Sequence, residues 1–137
     1  MRKRTLLALA VAAAVIVAAC SSSASLTGKA WQLTAITEKV PAFQGVVPEA
    51  QQANYTVTFN TDLSLNAKAD CNMVNGTYTT TSSGGLTTTL GPSTLVACPP
   101  GSVADQFTLG LSNAASYAIA NSQLTITLKD GGTLVFK

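Results

Sequence analysis

An unbroken apolar run of 14 residues, Leu6 to Ala19, separates the start of the chain from everything after it. The run falls short of the roughly 20 residues that a membrane-spanning helix needs. Beyond it, apolar side chains no longer cluster but recur at every second position, with threonine as the usual polar partner. Ala30 to Lys39, which opens on the single Trp, reads as a first strand. Val40 to Ala53 loses the alternation at Pro41, Gly45 and Pro48 and reads as a long loop, with one helical turn after Pro48. In Tyr55-Thr56-Val57-Thr58-Phe59 the large side chains fall on one face and the threonines on the other, the mark of a half-buried strand. Asn60-Thr61-Asp62 then turns the chain into Leu63 to Ala69, where Leu63 and Leu65 share a face.

The second half continues the pattern. Met73 to Thr81 and Leu86 to Leu90 flank Ser82-Ser83-Gly84-Gly85, a hairpin loop with glycines available for positive φ. Cys98-Pro99-Pro100-Gly101 ends the strand region. Ser102 is placed as an N-cap with Asp105 as its short capping-box partner. Val103, Phe107, Leu111 and Ala114 then follow at helical spacing, predicting one helix that ends near Ser116, with Leu109 off the stripe. Leu124, Ile126 and Leu128 alternate with threonines, Asp130-Gly131-Gly132 turns, and Leu134 to Phe136 closes a second hairpin. The expected fold is α+β, mainly β: a small antiparallel sheet curled into a partly open barrel around one helix.

Charge and cysteines change the picture at the N-terminus. Arg2, Lys3 and Arg4 precede the apolar run, and Val17-Ala18-Ala19-Cys20 closes it, which is the layout of a secretory signal. The small-small-Cys ending resembles the bacterial lipobox, in which the Cys thiol is diacylated and becomes the new N-terminus. Residues 1–19 are therefore expected to be a lipoprotein signal peptide and 20–26 the lipidated Cys20 and a short polar tether, with one domain over 27–137. That places the protein outside the cytoplasm, lipid-anchored to a bacterial cell membrane, or to an outer membrane in a diderm organism. The alternative is an ordinary cleaved signal.

The chain has 8 Lys+Arg against 6 Asp+Glu, but three of the basic residues sit in the signal, so the remainder carries no basic excess that would speak for nucleic acid. Three cysteines are present. With Cys20 assigned to lipid, Cys71 and Cys98 remain as a disulfide pair in an oxidising compartment, buried free thiols being the other reading.

These landmarks, in order, resemble the META domain family of HslJ-like proteins. The matching pieces are Gly28, Trp31-Gln32-Leu33, Tyr55 to Phe59, Cys71-Asn72, Gly76-Thr77-Tyr78, Thr94 to Cys98, Gln106-Phe107, Leu111, Tyr117 and the closing hairpin to Phe136. The family pattern has Gly before the Cys-Asn pair; here it is Asp70, so the backbone at that position is expected not to need positive φ. The resemblance implies a partly open β-barrel with one packed helix, and links to heat and antibiotic stress without a common reaction.

Candidate chemistry is sparse. With no His in the sequence, neither Ser-His-Asp nor Cys-His catalysis is available within one chain. A Ser-Lys dyad drawn from Lys29, Lys39, Lys68 or Lys129 keeps a small envelope hydrolase as the alternative function. Zinc lacks clustered ligands. Asp70, Asn72 and Gly76 hint at a calcium loop, but Val74 and Thr81 stand where further ligands belong. No metal or cofactor is expected. The favoured reading is a non-catalytic envelope domain that binds a protein partner or an apolar ligand. Its candidate binding surface joins Phe43, Val46 and Val47, three apolar residues in an unpatterned loop, to Asp70 and Asn72, which bracket Cys71.

Overall fold

The computed structural model describes residues 24–137. The signal segment and Cys20 lie outside the described residues. The chain forms strands β1 (Ala30–Lys39), β2 (Ala42–Val46), β3 (Tyr55–Phe59), β4 (Ser64–Ala69), β5 (Asn72–Thr80) and β6 (Leu86–Ser93), then helix α1 (Ala104–Ser112), then β7 (Ala114–Ala120), β8 (Gln123–Leu128) and β9 (Thr133–Phe136). All pairings between these strands are antiparallel. The sheet runs β6-β5-β4-β3-β1-β9-β8-β7, with β2 attached to β1.

Its two ends meet at one corner. A bridge joins Gly85 to Ser116, and the Tyr117 N–H donates to the Gly84 carbonyl at 2.9 Å. The sheet is thus a curled, partly open barrel with α1 packed against it. Alternation explains why it curls around a dry interior: Tyr55, Val57 and Phe59 of β3 and Leu124, Ile126 and Leu128 of β8 are buried, while the residues between them are half-exposed. Trp31, Phe59, Phe107 and Phe136 fill that interior. The indole N–H of Trp31 donates to the Leu26 carbonyl at 2.9 Å, so its one polar group enters the core satisfied. From α1, the Phe107 ring stands 6.2 Å from Tyr55 and 6.1 Å from Phe136. The Thr88 hydroxyl of β6 donates to the Leu111 carbonyl and ties the last turn of the helix to the sheet.

Several local expectations need correction. The loop after Val40 contains β2, an edge strand paired with β1 from Ala35↔Val46 to Lys39↔Ala42. None of its residues is buried, so it has no apolar face whose alternation could be read. The helical turn expected after Pro48 is present, as a 3₁₀ helix, Glu49–Asn54. Leu63 does not share a face with the buried Leu65: it sits in the turn at φ 68° and is half-exposed. Finally, α1 stops at Ser112, and the stretch from Ala114 to Ser116 expected to finish the helix instead opens the strand Ala114–Ala120.

The reason for that last difference is tertiary. Asn121 and Ser122 both have positive φ and join Ala120 to its partner Gln123, the two-residue turn that matches strand twist. Helix propensity in an alanine-rich stretch is a weak preference, and the β8 ladder overrides it. The N-terminus of α1 also differs, since Val103 occupies the cap position without a side-chain cap bond. Ser102 Oγ accepts instead from the Ala104 N–H at 3.2 Å.

Candidate functional site

The β4–β5 hairpin turns on Asp70 and Cys71, the two residues between the paired Ala69 and Asn72. Asp70 has φ 57°, which overturns the expectation that this backbone avoids the left-handed region. The turn needs positive φ whatever residue stands there, and Asp is among the non-glycine residues that tolerate it best. Two bonds hold the residue. Its N–H donates to the Asn54 carbonyl at 2.7 Å. The Tyr55 hydroxyl donates to Asp70 Oδ2 at 3.2 Å, and that hydroxyl also accepts from the Val103 N–H at 3.2 Å. With Ser102 Oγ at 3.3 Å, Tyr55 links this turn to the start of α1.

Cys71 and Cys98 are joined as a disulfide, with Cα atoms 5.4 Å apart. Asn72 beside them behaves as a stretch of backbone. Its Oδ1 accepts from the Val96 N–H at 2.8 Å and the Thr94 hydroxyl at 3.0 Å, while its Nδ2 donates to the Val96 carbonyl at 2.9 Å. Thr94 pairs with Met73 through its N–H, 3.1 Å from the Met73 carbonyl. The segment after β6 is therefore clamped at both ends, yet it turns its apolar side chains outward. Leu95 is 93% exposed, Val96 59% and Met73 50%, three apolar side chains left at least half in water.

Two clefts flank the Cys98–Ser102 corner. One, of about 240 Å³, lies between Gln51, Asn54, Asp70 and Pro100. The other, of about 210 Å³, lies between Asn72, Ala97 and Asp105. Both are lined mainly by polar groups, which suits water or a polar contact better than a buried apolar ligand.

The five residues expected to form one surface are split. Asp70 and Asn72 stand at the disulfide, whereas Phe43 lines a separate cleft with Thr37, Glu38, Ala42 and Gln44. Val46 is exposed on β2. Val47 is not available to a partner: it is 3% exposed, belongs to the core, and donates its N–H to the Thr34 carbonyl at 2.9 Å. An apolar side chain directly after an edge strand falls back onto the barrel because that is the nearest dry surface.

Sequence reasoning passed over Glu38, Tyr55 Oη and the Leu95–Val96 pair. A signal existed for Glu38, which follows Ile36 at strand spacing and so takes an inward position. Two of the lysines considered for catalysis have other neighbours. Lys29 Nζ lies 4.1 Å above the Trp31 ring, and Lys68 Nζ donates to Asn54 Oδ1 at 2.9 Å. Among the described residues, no group of three potential metal ligands is found.

The fold has relatives. A protein from Burkholderia xenovorans, solved by NMR, is similar at a TM-score of 0.64 and 25% identity, over 82% of each chain. A crystal structure of a DUF4847 family protein from Bacteroides vulgatus is similar at a TM-score of 0.53 and 13% identity, covering 78% of this chain and 89% of its own, a likeness of fold alone. No curated protein matches the sequence. The META domain model matches residues 24–137, the whole of the described structure. On that match, and with the barrel, its helix and the disulfide-bearing hairpin in place, the chain belongs to the META domain family.

Proposed function

We propose that this is a non-catalytic binding domain, anchored through a diacylated Cys20 to the outside of a bacterial membrane, that docks a protein partner at its disulfide-bearing end. The observation that carries the reading is the pairing of a full interior with an exposed apolar clamp. Trp31, Phe59, Phe107 and Phe136 occupy the space where a small barrel would hold an apolar ligand, so recognition falls to the surface. Leu95, Val96 and Met73 supply it, held in place by Asn72 and the Cys71–Cys98 bridge. Rigid placement matters because a pre-ordered segment loses less entropy on binding.

The bridge from Thr27 to Phe59 places the start of the domain at the end of β3 opposite Tyr55 and the disulfide turn. A tether through Cys20 would thus present the clamp away from the membrane. By family resemblance, the partner belongs to the response to envelope or antibiotic stress. The test is Leu95→Ser with Val96→Ser in the full chain. Cross-linking in intact cells should lose the partner adduct while the melting temperature stays within about 2 °C, as expected for surface substitutions. Undiminished cross-linking would overturn the docking surface.

A further inference from the structure

Away from the disulfide, the β1–β2 hairpin holds a carboxylate with nothing to bond. Glu38 is 5% exposed, and its Oε2 is buried without any hydrogen-bond partner among the described residues. Burial of such a group is costly unless something compensates it, so an orphaned carboxylate asks for an explanation. The nearby charges do not provide it. Asp130, the acid whose charge acts on Glu38, directs its own carboxylate elsewhere: Oδ2 accepts from the N–H groups of Lys39 at 2.7 Å and Val40 at 3.0 Å, and Oδ1 from Gly132 at 2.7 Å. Its negative charge adds to that of Glu38. Lys39 Nζ lies on the Gly131 side of this turn and makes no bond to Glu38.

Glu38 also lines a shallow cleft of about 310 Å³ whose other walls are Thr37, Ala42, Phe43 and Gln44, with Phe43 its paired residue on β2. The Phe43 ring covers Gly45, where an added Cβ would sit 3.0 Å from Phe43 Cε1, and this packing fixes one wall. A negative group, an aromatic ring and an apolar wall together recognise a positive charge carried on an apolar stem. A metal ion fits less well, since it would demand several more oxygens than Glu38 offers.

We propose that the Glu38–Phe43 cleft binds an organic ammonium group, from a free amine or from a lysine side chain, with Glu38 as counter-ion and Phe43 as the ring beneath the cation. The terminal torsion of Glu is broad, so the carboxylate turns to present either oxygen without moving the strand. This site is independent of the Leu95–Val96 surface, and either can fail without the other.

Butylammonium is the probe and butanol its neutral counterpart, each titrated into the full chain at pH 7 and followed by amide NMR shifts. Butylammonium should move the Thr37, Phe43 and Gln44 signals saturably in the millimolar range, as befits so small a ligand. Butanol should bind at least about tenfold more weakly, and Glu38→Gln should weaken butylammonium to the same degree. Because Gln is close to Glu in shape and removes only the uncompensated charge, the variant should fold, which its melting curve checks. Nα-acetyl-lysine amide then separates the sources: binding assigns the site to lysine side chains, exclusion to free amines. Equal affinity for butanol, shifts elsewhere on the protein, or binding untouched by Glu38→Gln would each overturn the proposal.

Discussion

A methyl group added at Gly76 would clash with the backbone oxygen of Thr89 and sit 3.1 Å from the Leu90 Cα. Neither backbone atom can withdraw without breaking the β5–β6 ladder, whose register already shifts between Val74 and Gly76. Gly76→Ala should therefore cost about 2–3 kcal/mol, the range of overpacking, and urea denaturation would show it as a lower midpoint at unchanged slope. Glu38 argues through charge instead. Burial, and then the neighbouring Asp130, raise its pKa above the ordinary carboxylate value. A raised acid pKa means that folding disfavours the ionised form, so stability is full below the unfolded pKa and falls as pH rises through the folded one. Asp130 has the opposite sign: bonds from the Gly132, Val40 and Lys39 N–H groups lower its pKa, and that contribution is lost as pH falls through the folded value. Glu38→Gln should accordingly raise the melting temperature at pH 7 and leave it unchanged at pH 3. Equal shifts at both pH values would rule out charge as the cause.

The disulfide-bearing hairpin is the element whose integrity matters most. Cys71 and Cys98 are 27 residues apart in sequence, and the bridge closes β5, β6 and the Leu95–Val96 segment into one loop. Chain entropy assigns such a closure roughly 3–4 kcal/mol, with measured values often lower. Replacing both cysteines by alanine should destabilise the domain by about 2–4 kcal/mol, measured by thermal unfolding, and a loss under 0.5 kcal/mol would show that the hydrogen bonds of Asn72 clamp the segment unaided. Unreduced peptide mapping provides the direct check, since the two cysteine peptides should run joined. At the start of α1 the same logic applies on a smaller scale, because the Tyr55 hydroxyl accepts from Val103 and donates to Asp70. Tyr55 thereby couples the hairpin turn to the helix.

On the scale of the whole molecule, the barrel is a filled body closed at one corner, and the proposed membrane anchor, Cys20, lies outside the described residues. If Cys20 is diacylated as proposed, Cys20→Ser should release the protein from the membrane fraction, because the substitution removes both acyl chains of that anchor. Unchanged partitioning into detergent would remove the lipoprotein reading while leaving the fold as it is. The opposite-end arrangement adds a consequence: cross-links from Leu95 should reach the partner, whereas those from Thr27 should reach lipid or membrane proteins.

By itself, the sequence determined the strands that bury one face, from Ala30–Lys39 through Tyr55–Phe59 to Leu124–Phe136, because period-two alternation is written in adjacent residues. It likewise marked a single helix around Phe107 and Leu111, the cysteine pair, and the family. What it left to the tertiary structure was everything decided between distant residues. The exposed edge strand β2 has no buried face to announce it, and β7 exists because β8 offers a ladder to an alanine-rich segment. Val47 became core because the barrel wall lay beside it. Glu38 and the Leu95–Val96 clamp acquired their meaning in the same way, since an orphaned carboxylate or an apolar side chain left in water is defined by its surroundings in three dimensions and not by its neighbours along the chain.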